Sequence, residues 1–332
     1  MTAVTAVAER WQRFWHAPVD PLPFVAFRQA WAWSMLIYFA AWARFAPEWL
    51  TSAGYHPSAA VDPRNAPGVP LIPEAWLPVV GVIFFGALGA LILGFARKPA
   101  LWVLVVSAVY VLMVDPIAAF TINRLFVIGL FILAIAPDPQ PVSTPHRGPD
   151  SKPDSGPIAD GDSMATQVAD STATKVSSPE PLPHLQRAWP TRMLQVLVVA
   201  QYFASGLCKI INGDWLDADD ILWMQVQGIY MTDATAWMLR HFPHWVWGVL
   251  EALALWFELL APLLFGIRRL WPVALCLGIG LHVVVAITMD QLIYFSLQMC
   301  CFYLLFIPPE WIRRLRLFHR PSEHPEPPAL GT

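Results

Sequence analysis

Trp189–Ala200, WPTRMLQVLVVA, runs without a break into Gln201–Trp215, QYFASGLCKIINGDW. The first twelve residues are apolar apart mainly from Arg192 and Gln195, and predict a helix entering a membrane. Near its far end stands one lysine, Lys209, with Ser205 and Gly206 on one side and Asn212, Gly213 and Asp214 on the other. A charge at membrane depth is costly and generally faces a protein interior or a wet cavity. A lysine near a helix end can also snorkel to the membrane surface, its stem in hydrocarbon and its ammonium in water. From the stretch alone both readings stand.

Composition agrees with a bilayer protein. Of 332 residues 56% are hydrophobic and 14% charged, where a soluble domain carries about 25% charged residues. Seventeen Trp and nineteen Phe match interfacial aromatic belts. The net charge of −3 gives no basic footprint for nucleic acid. Residues 1–23 contain Arg10, Arg13, Asp20 and several Trp, and lack the apolar core of a cleavable signal peptide. Cys208, Cys276, Cys300 and Cys301 sit in apolar segments without CxxC spacing, so free thiols are expected and no metal site is implied.

A spanning helix needs about 20 apolar residues. The fold class expected is an all-α polytopic membrane protein with eight transmembrane helices: 24–45, 75–95, 100–114, 120–136, 189–211, 245–265, 270–289 and 292–307. Asp115-Pro116 separates the third from the fourth, because proline cannot continue a helix and restricts the residue before it. With the N-terminus in the cytoplasm, fifteen Lys and Arg fall inside and four outside, Arg28 and Lys209 lying within helices. That bias predicts a multi-pass protein of the cell membrane with both termini cytoplasmic. The organisation expected is a cytoplasmic N-terminal segment (1–23), a first four-helix half (24–136), a Pro/Ser/Asp-rich cytoplasmic linker (137–188), a second four-helix half (189–308) and a cytoplasmic tail (309–332). The linker holds too little apolar surface to offset chain entropy and is expected to be disordered. Asn212–His244 is too polar to span; its Trp, Met, Ile and Tyr residues predict outer interfacial helices between the fifth and sixth spans.

Depth along these helices gathers polar residues. Lys209 falls near the outer end of the fifth helix, His282 past the midplane of the seventh, and Asn123 and Arg124 at the outer start of the fourth. A single outward-facing site is one reading; a hydrogen-bonded core histidine is the other for His282. Asp115 and Asp290 read as helix ends. On the other side, Arg28 near the inner start of the first helix and Glu258 on the sixth are expected to form a buried structural ion pair, with Glu251 on the same face as Glu258.

The order of these segments resembles one family. DPLPFVAFR (Asp20–Arg28), FGALGALILGFARKPA (Phe85–Ala100), YFASGLCKIINGDW (Tyr202–Trp215), FELLAP (Phe257–Pro262), His282 and FIPPEW ending at Trp311 are similar, in sequence, to the membrane domain of vitamin K-dependent gamma-glutamyl carboxylase and its short bacterial relatives, the horizontally transferred transmembrane (HTTM) domain. The resemblance covers most of residues 20–315 outside the linker. It implies a lyase-type carboxylase chemistry driven by a reduced quinone of the vitamin K type, with Lys209 as the base that deprotonates the quinol. It also implies Asn123 as a hydrogen-bonding partner, His282 as a polar site residue, and Tyr202, Arg124, Asp214 and Trp215 as pocket residues. The partners implied are the lipid bilayer, a lipid quinone and, in a non-catalytic alternative, a secreted peptide for which the protein is an immunity or maturation factor. The family has Asn-His where this chain has Asn123-Arg124, and arginine stays charged and cannot shuttle a proton. The chain also carries no large domain after the last helix, so peptide carboxylation in the animal manner is not expected. A transporter or channel is a third class; few charges line the spans and the halves show no repeat.

Overall fold

The computed structural model describes residues 3–116, 121–138, 140–141, 184–213, 215–216 and 220–314. In chain order these form α1 (Ala3–His16), β1 (Pro18–Val19), α2 (Leu22–Trp42), α3 (Ala46–Leu50), α4 (Leu77–Leu93), α5 (Arg97–Val114), α6 (Thr121–Ile135), β2 (Gln140–Pro141), β3 (His184–Arg187), α7 (Trp189–Asn212), α8 (Ile221–Gln225), α9 (Asp233–His241), α10 (His244–Gly266), α11 (Trp271–Thr288), α12 (Leu292–Tyr303) and α13 (Pro309–Arg314). Every segment expected to span is helical over most of its described part.

Among the described residues, five helical segments are long and apolar enough to cross a membrane: Glu74–Leu93, Arg97–Val114, Trp189–Asn212, His244–Gly266 and Arg268–Thr288. Thr121–Ile135 and Leu292–Phe306 are apolar but shorter, and α2 is not among the five. Only 17% of the apolar window is buried in the segments carrying α4 and α11. Their outer faces present Val82, Ile83, Ile279 and Val283 to the surroundings. Apolar faces of this extent on several helices call for a lipid environment.

Local chemistry sets the helix boundaries. Prolines occupy the first turns of α2, α4, α7 and α11, where their missing N–H costs nothing and their fixed φ suits a helix. Gly94 ends α4 at φ 82°, its N–H reaching the Ala90 and Leu91 carbonyls, and this left-handed cap turns the chain into α5. Helix α5 stops at Val114, as Asp115-Pro116 predicts.

The core is built around α2. Phe27, Trp31 and Met35 are fully buried and pack with Phe126 of α6 and Phe302 of α12. Gly129 leaves room for the Trp31 indole: a Cβ there would lie 2.6 Å from the ring. In the second half, α7 packs along α10. Gly206 makes that approach possible, since its absent Cβ would lie 3.0 Å from Glu258 Cβ and the Leu259 amide nitrogen.

Three features add to the expected organisation. The N-terminal segment contains helix α1, whose Phe14 ring lies 5.0 Å from the Arg192 guanidinium of α7. The expected linker 137–188 contributes two strands: β3 pairs antiparallel with β1 (Pro18 opposite Arg187) and with β2 (Gln140 opposite Leu185). Hydrogen-bond satisfaction at the two ends of the linker explains this; its central residues 142–183 lie outside the described residues. The expected tail begins with α13, tied to the start of α2 by an Arg313–Asp20 ion pair.

Between α7 and α10 lie α8 and α9, at the position predicted for interfacial helices. Glu251 Oε2 accepts from the Leu222 amide at 2.9 Å and so caps α8. Thr232 caps α9 through the Thr235 amide, and the hydroxyls of Thr232 and Thr235 donate to the Ile287 and Thr288 carbonyls. Val226, Met289 and a fully buried Trp247 complete this small second core. These contacts fix the α8–α9 segment onto the end of α11.

Candidate functional site

A cavity of ≈ 830 Å³ opens between α7, α10 and α11, with α2, α6, α8 and α12 contributing to its wall. Its volume falls in the range of about 300–1,000 Å³ typical of small-molecule sites. The lining is mainly apolar, with Leu250, Phe257, Leu281 and Phe295 among its members, and the polar groups are few. They include Gln201, Tyr202, Ser205 and Lys209 from α7, Glu258 from α10 and His282 from α11, with Tyr38, Thr121, Gln225, Thr288 and Gln291 around them.

Lys209 holds the polar end. Its Nζ lies 2.8 Å from Glu258 Oε2, with the lysine side chain 21% and the glutamate side chain 10% exposed. The ammonium also sits 4.2 Å from the centroid of the Trp215 ring, a distance at which the ring's negative face attracts a cation. Gly206, one turn before Lys209, is what brings α7 close enough for this pair to form.

The expected Arg28–Glu258 pair does not form. Side chains on a helix slope toward its N-terminus, so Lys209, placed near the end of α7, reaches back along that helix to the level of Gly206. Gly206 faces Glu258 across the α7–α10 contact. Arg28 lines a different cavity, with Arg97, Lys98, Asp138 and Gln186.

A second polar group is built from three rings. The Tyr202 hydroxyl lies 2.6 Å from His282 Nε2 and 2.6 Å from the Tyr303 hydroxyl. Gly278 makes the chain possible: a Cβ there would lie 2.2 Å from Tyr303 Oη. His282 is 3% exposed, and its Nδ1 has no hydrogen-bond partner among the described residues. The chain can run either way: Nε2 accepting from Tyr202 puts the ring proton on Nδ1, and Nε2 donating to Tyr202 leaves Nδ1 a bare acceptor. In both cases Nδ1 is a buried polar atom, and leaving such a group unmatched costs about 1–3 kcal/mol.

The other site residues read from the sequence are placed as follows. Asn123 is buried on α6 beside the cavity-lining Ile122, and its side chain bonds the hydroxyl of Tyr38, itself a cavity residue. Arg124 is exposed and does not line the cavity. Trp215 lines it and faces Lys209; Asp214 lies outside the described residues. Sequence reasoning missed Glu258 as the lysine's partner, and it missed Tyr303, Tyr38, Gln201 and Ser205. A signal was present for two of these: Gln201, Ser205 and Lys209 recur at i, i+4 and i+8 and so share one face of α7. Tyr303 and Tyr38 carry no such pattern, since their meeting depends on packing between distant helices.

Among the described residues, no group of three or more His, Cys, Asp or Glu side chains converges to hold a metal ion. Comparison with family models, with curated proteins and with solved structures gives no match to this chain.

Proposed function

We propose that this is a membrane enzyme of the carboxylase-like HTTM type, in which Lys209 acts as a base on a lipid-soluble quinol held in the ≈ 830 Å³ cavity. The observation that carries the reading is the Lys209–Glu258 pair, 2.8 Å across, in the wall of a largely apolar chamber. A quinol fits such a site, because a flat ring and isoprenoid tail match the apolar wall while two oxygens need polar partners. When bound, the quinol supplies an acidic O–H and the reducing equivalents for reaction with oxygen.

The chain's own residues account for the proton handling. Lys209 passes a proton to Glu258, whose Oε2 lies 2.8 Å away, which leaves a neutral amine. The amine then accepts the substrate's O–H proton at Nζ, and the renewed ammonium faces the negative charge created. Trp215 holds the ammonium in place through its ring face. The Tyr303–Tyr202–His282 chain orients the imidazole in the cavity wall. Phe257, Leu281 and Phe295 exclude water.

The test uses purified protein in mild detergent with a reduced naphthoquinone carrying a short isoprenoid tail. Quenching of tryptophan fluorescence reports binding, since Trp42, Trp49 and Trp215 line the cavity; oxygen uptake reports turnover. The parent protein binds and turns over. The Lys209→Met/Glu258→Gln double variant, which removes both charges together, binds and does not turn over. No binding by the parent protein overturns the proposal.

One observation favours a second reading. Arg124 stands where the resembling family has histidine, and it is exposed and off the cavity wall. A non-catalytic partner of a secreted peptide has no need of a proton-shuttling residue there. Quinol binding without oxygen uptake by the parent protein selects this reading.

A further inference from the structure

At the opposite end of α2 from the loop that follows it, three cations meet around one carboxylate. Arg28, Arg97, Lys98 and Asp138 line a cavity of ≈ 10 Å³ together with Phe24, Leu101 and Leu133. Asp138 is 3.7 Å from the Arg97 guanidinium. Lys98 Nζ donates to the carbonyls of Ala134 and Ala136 at the end of α6, and among the described residues Asp138 is the one carboxylate lining the cavity beside it. Arg28 makes no ion pair among the described residues, and its Nε is buried without a hydrogen-bond partner there. The corner therefore carries two positive charges in excess. The first turn of α5, which bears Arg97 and Lys98, adds the positive end of an 18-residue helix, and no side chain caps it.

A buried guanidinium N–H without an acceptor is costly, and like charges this close repel. Both costs fall away if an oxyanion enters. The space available is about that of one water-sized atom group. It admits a single anionic oxygen, with the remainder of the ligand at the mouth, where Arg97 is partly exposed. The neighbouring surface is apolar: Val25 and Leu101 line the cavity, and Trp102 of α5 is exposed. An anion bound here would have its oxygens against cations and its apolar portion along α5, as in basic pockets between membrane helices that take acidic lipid headgroups.

We propose that this corner binds a phosphate oxyanion through Arg28, Arg97 and Lys98. The chemistry is shared by the headgroup of an acidic phospholipid and by free phosphate, and the experiment separates the two. Delipidated protein in mild detergent is titrated with phosphatidylglycerol, with phosphatidylcholine and with inorganic phosphate, while thermal unfolding is followed and native mass spectrometry counts retained lipid. Phosphatidylglycerol raises the unfolding temperature and is retained; phosphatidylcholine does neither. An equal response to inorganic phosphate assigns the site to the free anion. Arg28→Gln abolishes the response. Because that variant removes a buried charge and can fail to fold, Arg97→Gln at the half-exposed mouth is the second variant, and it weakens phosphatidylglycerol binding at least several-fold with the fold intact. Equal responses to the two lipids, or an unchanged response in Arg97→Gln, overturn the proposal.

Discussion

Lys209 and Glu258 are held as a pair, and their energetics separate structure from chemistry. Two partly buried charges in contact stabilise each other only enough to offset their desolvation, and removing one leaves the other stranded. Lys209→Met and Glu258→Gln are each expected to destabilise the protein by roughly 3 kcal/mol, read from unfolding in detergent. The double variant recovers most of that loss, because both charges leave the cavity wall together. Recovery of stability without recovery of oxygen uptake places the pair's role in chemistry. If the double variant is as unstable as the singles added, the two residues act independently and the pairing carries no weight. Much of this was legible in the sequence: a lone lysine between Ser205-Gly206 and Asn212-Gly213-Asp214 marked the place. Its partner was not. Depth along a helix locates a Cα, whereas a lysine side chain ends about a helical turn away from its own Cα, toward the N-terminus.

The elements meet at glycines, and these decide which side chains reach the cavity. Gly278 and Gly280 lie two residues apart on α11 and test this directly. A Cβ at Gly278 would lie 2.2 Å from Tyr303 Oη and 3.0 Å from Phe257 Cζ. Gly278→Ala therefore pushes α12 away and breaks the Tyr303–Tyr202–His282 chain, costing about 1–3 kcal/mol through overpacking. At Gly280 a Cβ meets nothing within 4 Å. Gly280→Ala leaves stability unchanged or raises it by up to about 1 kcal/mol through helix propensity. Thermal unfolding of the two variants side by side checks both signs; equal effects would mean that the α11–α12 approach is not glycine-dependent. The apolar helices were readable because apolar runs of about 20 residues have few other solutions, and five of those described are long enough to cross a membrane. The three-stranded tie at 18–19, 140–141 and 184–187 was not. Strands of two to four residues leave no periodicity in a sequence, and His184–Arg187 forms one only because partners stand on both sides.

At the scale of the whole molecule, the site is assembled by the second half of the chain and closed by the first. Lys209, Glu258 and His282 come from α7, α10 and α11, while Tyr38 of α2 and Ile122 of α6 reach the same cavity. The two halves are joined in the core, where Phe27 and Trp31 pack on Phe302, and again at the base of the connecting segment. There Gln140 pairs with Leu185 and Pro141 with His184, so residues 141 and 184 stand opposite each other. The 42 residues from 142 to 183 thus leave and re-enter the described structure at neighbouring positions, and their sequence supplies few large apolar side chains for packing. Replacing them with a six-residue Gly/Ser link demands no change in the strands on either side. Shortening a loop changes closure entropy by only about 0.6 kcal/mol per halving, so the excised protein is expected within roughly 2 kcal/mol of the parent. Quinol binding and oxygen uptake should match the parent protein's, since Lys209, Glu258 and His282 stand on α7, α10 and α11. A stable but inactive excision variant would show that the segment acts on the site from outside the helical body. An unfolded one would show that β2 and β3 need the segment to pair, and that the halves are held together at their base rather than through the Trp31 core.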